Sequence, residues 1–128
     1  KSGNFCNKPM TTPEQIAFNW LSAFNAKQLE NLLDLYDEQA EHFSPKLAQR
    51  LPETKGLIQG KAALRDWWAD AFDRLPSLHY QALTITANAD RVFMEYLRQV
   101  DGEPNMKVAE VLEIKNEKIV FSRVYHGS

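Results

Sequence analysis

A single acidic residue interrupts an apolar row in the second half of the chain. Alternate residues of a strand share one face, and Glu110 shares a face with Met106, Val108, Leu112 and Ile114. A carboxylate among apolar neighbours is costly unless it is paired. Arg98 on the preceding predicted strand is the expected partner, and His126 is a second candidate. Without Arg98, desolvation would raise the pKa of Glu110 and make it a proton donor or acceptor. The alternative is a purely structural Glu–Arg pair, or a glutamate that reaches solvent.

The three histidines, His42, His79 and His126, are far apart in the sequence. They lack the spacing of metal ligands, so no metal site is expected. His42 and Ser44 alternate to the same side just before a proline and are candidates for a pocket wall. His126 is either part of the same wall or an exposed residue near the end, and His79 is expected on the surface.

The pattern of residues 12–45 predicts two helices, each with an apolar stripe, followed by a short extended segment. Thr12 suits a helix cap, and Pro13 suits the first helical position. The apolar residues recur at helical spacing and are Ile16, Trp20, Leu21, Phe24, Leu29, Leu32, Leu33 and Tyr36. Residues 46–60 predict an irregular loop, either a lid over a site or a plain surface loop. A third helix is predicted over about residues 61–75, ending before Pro76.

Four strands are predicted after the third helix, over about residues 78–87, 91–100, 106–114 and 119–126. The turns between them are short, which requires antiparallel neighbours. The fold class is therefore α+β, with helices packed on one face of a curved antiparallel sheet. Such an arrangement can enclose a pocket. Residues 1–11 predict a flexible tail, and residues 12–128 predict a single domain.

The composition excludes several classes of function. The chain has 128 residues, a net charge of −2 and interspersed acids and bases, which argues against a nucleic-acid surface. No apolar run approaches the roughly 20 residues that cross a bilayer, so no membrane partner is expected. Cys6 is the sole cysteine, which excludes an internal disulfide, and it is expected to be incidental. The expected location is the cytoplasm, with secretion or a periplasmic location left open.

The candidate site follows from the inward faces of these elements. The candidate catalytic residues are Glu110, His42 and Arg98. Of the adjacent tryptophans Trp67 and Trp68, one is expected in the core and the other at a pocket mouth or a dimer face. The candidate ligand-binding residues are Trp20, Phe24, Ser44, Trp67, Phe72, Met94, Tyr96, Leu112, Ser122 and His126.

The run WLSAFNAKQLENLLDLYDEQA over residues 20–40 resembles the opening helices of the nuclear-transport-factor-like superfamily. The superfamily includes the SnoaL-like polyketide cyclases, ketosteroid isomerase and scytalone dehydratase. Phe43-Ser44-Pro45, the run GKAAL over residues 60–64 and the strand from Lys118 continue the resemblance. It implies a cystatin-like α+β roll, in which a cone-shaped sheet wraps three N-terminal helices. It also implies a homodimer through the outer face of the sheet.

The resemblance to ketosteroid isomerase can be followed residue by residue. The position of its general-base aspartate looks like Ser44, and that of its oxyanion-hole tyrosine looks like Trp20. Its second oxyanion-hole acid falls near Glu110. Since two of these three roles are lost, steroid isomerisation by that mechanism is disfavoured. In the dehydratase and cyclase branches, pocket histidines and aspartates do the acid–base work, and His42, Glu110 and His126 could serve here.

Three hypotheses of function follow. The first is a cofactor-independent isomerase, cyclase or dehydratase acting on a small hydrophobic carbonyl compound. Glu110 or His42 would move a proton, and Arg98, Trp20 or Tyr96 would stabilise negative charge. The second is a binding protein for a small apolar ligand, without chemistry. The third is an interaction domain that uses its sheet face for a homodimer or a protein partner.

Overall fold

Four helices and one six-stranded sheet make up the computed structural model, which describes residues 11–127. The helices are α1 (Pro13–Asn25), α2 (Leu29–Asp34), α3 (Pro45–Arg50) and α4 (Lys61–Arg74). The strands are β1 (Tyr36–Phe43), β2 (Leu57–Gln59), β3 (His79–Ala87), β4 (Arg91–Gln99), β5 (Met106–Lys115) and β6 (Lys118–His126). The predicted α+β class is confirmed, and the sheet is curved and unclosed.

The start of α1 follows the sequence signals closely. The Thr12 hydroxyl accepts a hydrogen bond from the backbone N–H of Gln15 at 3.1 Å, and Pro13 occupies the first helical position. The helix buries an apolar stripe that includes Ile16, Trp20 and Phe24. Capping satisfies one of the amide groups that a helix leaves unpaired at its N-terminus, while the stripe fixes the face that packs on the sheet.

Two parts of the predicted secondary structure are wrong. Tyr36 begins β1 instead of ending a helix, because the chain here pairs in parallel with β6 and Ile119 donates its backbone N–H to Leu35. The Tyr36 side chain is buried. An apolar residue at this position fits the spacing of the preceding helix and also fits a strand, so the spacing alone does not distinguish helix from strand here. Residues 46–60, predicted to be irregular, contain most of α3 and all of β2.

The strand order in the sheet is β2-β1-β6-β5-β4-β3. The predicted antiparallel meander of four strands is confirmed in β3 to β6. The predicted inward faces are confirmed as well, since Met94, Tyr96 and Arg98 of β4 are all buried. The register places Met94 opposite Glu110 and Glu110 opposite Val124, which fixes where the acid lies on the inner face.

The predicted N-terminal tail lies almost wholly outside the described residues, as does Cys6. Thr11, the first described residue, donates its backbone N–H to the Glu117 side chain at 2.8 Å. Within residues 11–127, no helix is long and apolar enough to span a membrane.

We expect Leu112→Ala to lower the free energy of unfolding by about 2–5 kcal/mol, because Leu112 is fully buried on the inner face of β5. The matched control is Leu83→Ala on β3, where the side chain is 43% exposed and the expected loss is below about 1 kcal/mol. Urea denaturation of the two variants measures both values. Equal losses would contradict the placement of Leu112 in the core.

Candidate functional site

A cavity of about 290 Å³ lies between the helices and the inner face of the sheet. Six aromatic side chains form its apolar part, which we call the aromatic wall: Trp20, Phe24, Trp67, Trp68, Tyr80 and Tyr96. Trp68 is buried and Trp67 is half-buried, as expected for the tryptophan pair, and both reach the cavity. Ligand sites are typically apolar clefts of this kind with a few polar groups that fix orientation.

Glu110 is the acidic group on the deep wall of this cavity. It is 1% exposed, and its Oε1 accepts a hydrogen bond from the Tyr96 hydroxyl at 2.7 Å. Its Oε2 has no hydrogen-bond partner among the described residues. Burial raises the pKa of Glu110 to about 8, although the bond from Tyr96 acts in the opposite direction. Near neutral pH the carboxyl is therefore mainly protonated and able to exchange a proton.

The predicted pairing of Glu110 with Arg98 is wrong. Arg98 lies opposite Met106, four residues along β5 from Glu110, which corresponds to about 13 Å of strand. The guanidinium instead donates from Nη1 to Oε1 of Glu103 at 2.8 Å. His126, the second candidate partner, also makes no hydrogen bond to Glu110, whose one partner is Tyr96 in the described part of the chain. The pKa of Glu110 is raised because its carboxyl is buried and forms no ion pair within the described residues.

His42 sits at the end of a buried chain of hydrogen bonds. Trp20 Nε1–H donates to the Tyr36 hydroxyl at 3.1 Å, and Tyr36 donates to Ser122 Oγ at 3.0 Å. Ser122 Oγ lies 2.6 Å from His42 Nδ1. Since Tyr36 supplies the proton in its bond to Ser122, the serine keeps its own hydroxyl hydrogen and a lone pair, and it can pair with either tautomer of His42.

This series of hydrogen bonds holds the His42 ring in place. Burial lowers the pKa of His42 to about 3, so the ring is neutral near pH 7. His42 lines the cavity, and in the tautomer whose Nδ1 accepts from Ser122 the ring carries its hydrogen on Nε2.

Nine of the thirteen sequence-predicted site residues line the cavity. They are Glu110, His42, Arg98, Trp20, Phe24, Ser44, Trp67, Tyr96 and His126. Ser44 accepts a hydrogen bond from the backbone N–H of Lys46, so its hydroxyl caps α3. Ser44, which stands at the position of the isomerase's general base, therefore has a structural role.

The other four predicted ligand-binding residues lie outside the cavity wall. Met94 and Leu112 are packed in the closed core, and Phe72 packs edge-on behind Phe24 with ring centroids 5.6 Å apart. Ser122 is fully buried behind His42, which it orients. Strand alternation identifies the inner face but does not separate cavity wall from solid core.

Several lining residues were not predicted to belong to the site. The aromatic and aliphatic ones are Trp68, Tyr80, Leu75, Leu78, Ala71, Val108 and Val124. The polar ones are Lys46, Gln49, Arg50, Arg74 and Glu103. A helical interpretation of residues 45–50 would have placed Lys46 and Arg50 one turn apart on a single face.

Comparison with known proteins identifies the family of this fold. The model of the SnoaL-like domain matches residues 17–122. Comparison with curated protein sequences gives no match.

Three solved structures illustrate the likeness. A SnoaL-like protein of unknown function from Burkholderia thailandensis has a TM-score of 0.79 and 24% identity, covering 90% of this chain and 94% of that one. An NTF2-like protein of unknown function from Cytophaga hutchinsonii has a TM-score of 0.74 and 12% identity, covering 94% of each chain. A protein with a ketosteroid isomerase-like fold from Catenulispora acidiphila, in complex with trimethylamine, has a TM-score of 0.69 and 21% identity, covering 90% of this chain and 86% of that one. At these identities the likeness shows the fold alone.

We expect the two buried titratable groups to shape the pH dependence of stability in opposite ways. Glu110 has a folded-state pKa of about 8 against a usual value of 4.5, so the unfolded chain loses this proton first. The free energy of unfolding therefore falls as pH rises from 4.5 to 8. His42 has a folded-state pKa of about 3 against 6.5, so stability falls as pH drops from 6.5 to 3. The two slopes oppose each other where they overlap.

Urea denaturation across this pH range checks both slopes. Glu110→Gln should remove the alkaline loss, worth on the order of 5 kcal/mol, and His42→Asn should remove the acidic one. Glu14→Gln and His79→Asn are matched controls at exposed positions and should keep both slopes. An alkaline slope that persists in Glu110→Gln would rule out a buried neutral carboxyl.

Proposed function

Because the chain belongs to the SnoaL-like domain family, within the NTF2-like superfamily, we propose that it uses its cavity for cofactor-independent acid–base chemistry. The proposed substrate is a small hydrophobic carbonyl compound, and the reaction is an isomerisation, cyclisation or dehydration. The observation that carries this proposal is Glu110, a buried carboxyl on the cavity wall with a pKa of about 8 and with one oxygen that has no partner among residues 11–127.

Glu110 has the properties of a proton-transfer group. A general acid or base works best when its pKa lies near the operating pH, because both protonation states are then populated. Oε2 has no partner in the described residues and is the oxygen left for a ligand, while Tyr96 holds Oε1. In the proposed step, Oε2 of the ionised fraction of Glu110 takes a proton from the carbon next to the ligand's carbonyl, leaving an enolate, and the resulting carboxyl returns that proton to another atom of the ligand.

Negative charge on the carbonyl oxygen would be stabilised by an N–H donor on the facing side of the cavity. The neutral His42 ring would present Nε2–H there, in the tautomer whose Nδ1 accepts from Ser122. Arg98, offset from Glu110 by about 13 Å of strand, is placed at the other end of the cavity. Trp20 and Tyr96, which the sequence also suggested for this role, have already committed their hydrogens to Tyr36 and Glu110. His42 is therefore assigned to hydrogen bonding and Glu110 to proton transfer.

The wall supports a small apolar ligand. The rings of Trp20, Phe24 and Tyr80 pack against one another, with centroid separations of 4.5 to 5.7 Å. Such interlocked rings form a rigid apolar surface at low cost in conformational entropy. The second candidate function is to bind such a ligand without reaction, and the same aromatic wall supports this function.

We expect Glu110→Gln to abolish proton exchange while retaining binding, because glutamine keeps the shape of a protonated carboxyl but cannot transfer its proton. The probe is propiophenone in deuterated buffer, with loss of its α-proton signal followed by proton NMR. The exchange rate should fall by about 100-fold or more, with the dissociation constant changed by less than about threefold.

Two further variants sharpen this test. Tyr96→Phe removes the hydrogen bond that lowers the pKa of Glu110, so the pH profile of exchange should move to higher pH. Glu113→Gln changes a glutamate of the same strand that does not line the cavity, and should leave exchange unchanged. Wild-type binding without exchange would favour the non-catalytic function, and unchanged exchange in Glu110→Gln would remove this residue from the mechanism.

The outer face of the sheet supports a homodimer. Phe93 of β4 and Tyr125 of β6 are 42% and 49% exposed, and Val111 of β5 lies between their strands. Most residues of β3, an edge strand, are also exposed. Exposed apolar side chains on a sheet face, here interspersed with charged ones such as Arg123 and Glu113, are found at interfaces between copies of a chain.

We expect Phe93→Lys combined with Tyr125→Lys to convert a dimer to a monomer, because charges on this face would be buried without partners. Light scattering after size exclusion should give twice 14.7 kDa for the wild type and 14.7 kDa for the double variant. Phe18→Lys is the control, since Phe18 is 54% exposed but lies on α1. A monomeric wild type would contradict the dimer.

A further inference from the structure

Four basic side chains line one end of the cavity, which we call the cationic end: Lys46 and Arg50 of α3, Arg74 of α4 and Arg98 of β4. The exposed positions of Arg50 and Arg74 place this end next to solvent. The aromatic wall lies deeper, together with Glu110. The cavity is therefore apolar inside and positively charged at its opening.

Arg98 is the most buried member of the cationic end. Its side chain is 9% exposed, yet it makes a single hydrogen bond to the protein, from Nη1 to Glu103. A guanidinium has five N–H groups, so four have no acceptor among the described residues. No Arg98 nitrogen is both fully buried and unpartnered among the described residues, so its remaining N–H groups have accessible surface, where an acceptor can reach them.

Acidic side chains do not balance the cationic end. Asp70 pairs with Arg74 at 2.7 Å and lies 3.7 Å from Arg50, and Glu103 pairs with Arg98. Lys46 forms no ion pair within the part of the chain that the structure describes. Repulsion from Arg98 contributes to lowering the pKa of Lys46, after burial, and attraction to Glu103 acts in the opposite direction. Lys46 and Arg98 therefore lie close together, with Glu103 as the one acid that acts on both.

We propose that the ligand of this cavity is an organic carboxylate. Its carboxylate binds Arg98 and Lys46 at the cationic end, and its apolar body lies against the aromatic wall. This inference rests on the proposed function for the carbonyl group at Glu110 and narrows the substrate class to oxo acids.

A carboxylate fits this end better than a neutral polar group. Its two oxygens match the fork of a guanidinium, and charge-assisted hydrogen bonds are about twice as strong as neutral ones. The surrounding low dielectric strengthens the attraction further. Lys46 adds a second positive charge without competing for the same oxygen lone pairs.

The test measures binding of matched pairs of compounds by isothermal titration calorimetry. The acids are phenylacetate, benzoylformate and benzoylpropionate, and each is paired with its own neutral primary amide. Wild-type protein should bind at least one acid more tightly than its amide by about tenfold or more. Raising the ionic strength should weaken binding of the acid and leave the amide unchanged.

Substitutions at the cationic end test which residues cause the preference for the acid over its amide. Arg98→Gln and Lys46→Gln should each reduce the acid-to-amide preference by about tenfold, and Arg98→Lys should retain part of it. Lys46→Gln provides a second position if the buried Arg98 proves necessary for folding. Arg91→Gln is the matched control, because Arg91 lies on the same strand as Arg98 but is exposed and outside the cavity wall.

The outcomes separate this inference from the proposed function. Equal binding of acid and amide, or tighter binding of the amide, would overturn the anionic ligand while leaving a neutral carbonyl ligand in place. Binding of inorganic phosphate as tight as that of the acids would also overturn it, because phosphate has no apolar body. Failure of every acid and every amide to bind would overturn both.

Discussion

The burial of one carboxyl group without a cation is the constraint on which the proposed site depends. In a low-dielectric interior the charged form of a carboxyl is penalised, and a single hydrogen bond from Tyr96 offsets only part of that penalty for Glu110. Arg98 could have cancelled the penalty, but the register of β4 against β5 keeps it four residues away. The register would have to slip by four residues to bring them together, and every other pairing between β4 and β5 would be lost.

On the facing side, a hydrogen-bonded chain from Trp20 to His42 joins α1, β1 and β6. These bonds fix the orientation of the imidazole within the cavity. The two titratable groups of the cavity therefore differ in their pKa. The pKa of Glu110 is close to neutrality and that of His42 is far below it, so near pH 7 Glu110 populates both protonation states while His42 stays neutral.

From the sequence, we predicted which face of a strand or helix a residue occupies more accurately than which residue of the neighbouring strand it lies beside. Alternation in β5 correctly pointed Glu110 inward, and the capping signals correctly placed the start of α1. Alternation carries no information about cross-strand offset, however, so the predicted pairing with Arg98 failed. It also cannot distinguish a cavity wall from a filled core, which is why Met94 and Leu112 were expected to bind a ligand.

The cationic end was missed for a different reason. Its residues come from α3, from the end of α4 and from β4, and the first of these was predicted to be irregular. A six-residue helix gives too short a pattern to register as amphipathic, and its stability comes from the Ser44 cap and from the buried Leu47. Only the tertiary structure brings these charges to one opening.

The most direct measurement of the central claim is a titration of the Glu110 side-chain carboxyl carbon by heteronuclear NMR, with the resonance assigned by its loss in Glu110→Gln. A midpoint near pH 8 is the predicted result, because burial disfavours the charged form. A midpoint near 4.5, the usual value for a glutamate, would show that the carboxyl is solvated or paired and would contradict the proposed site.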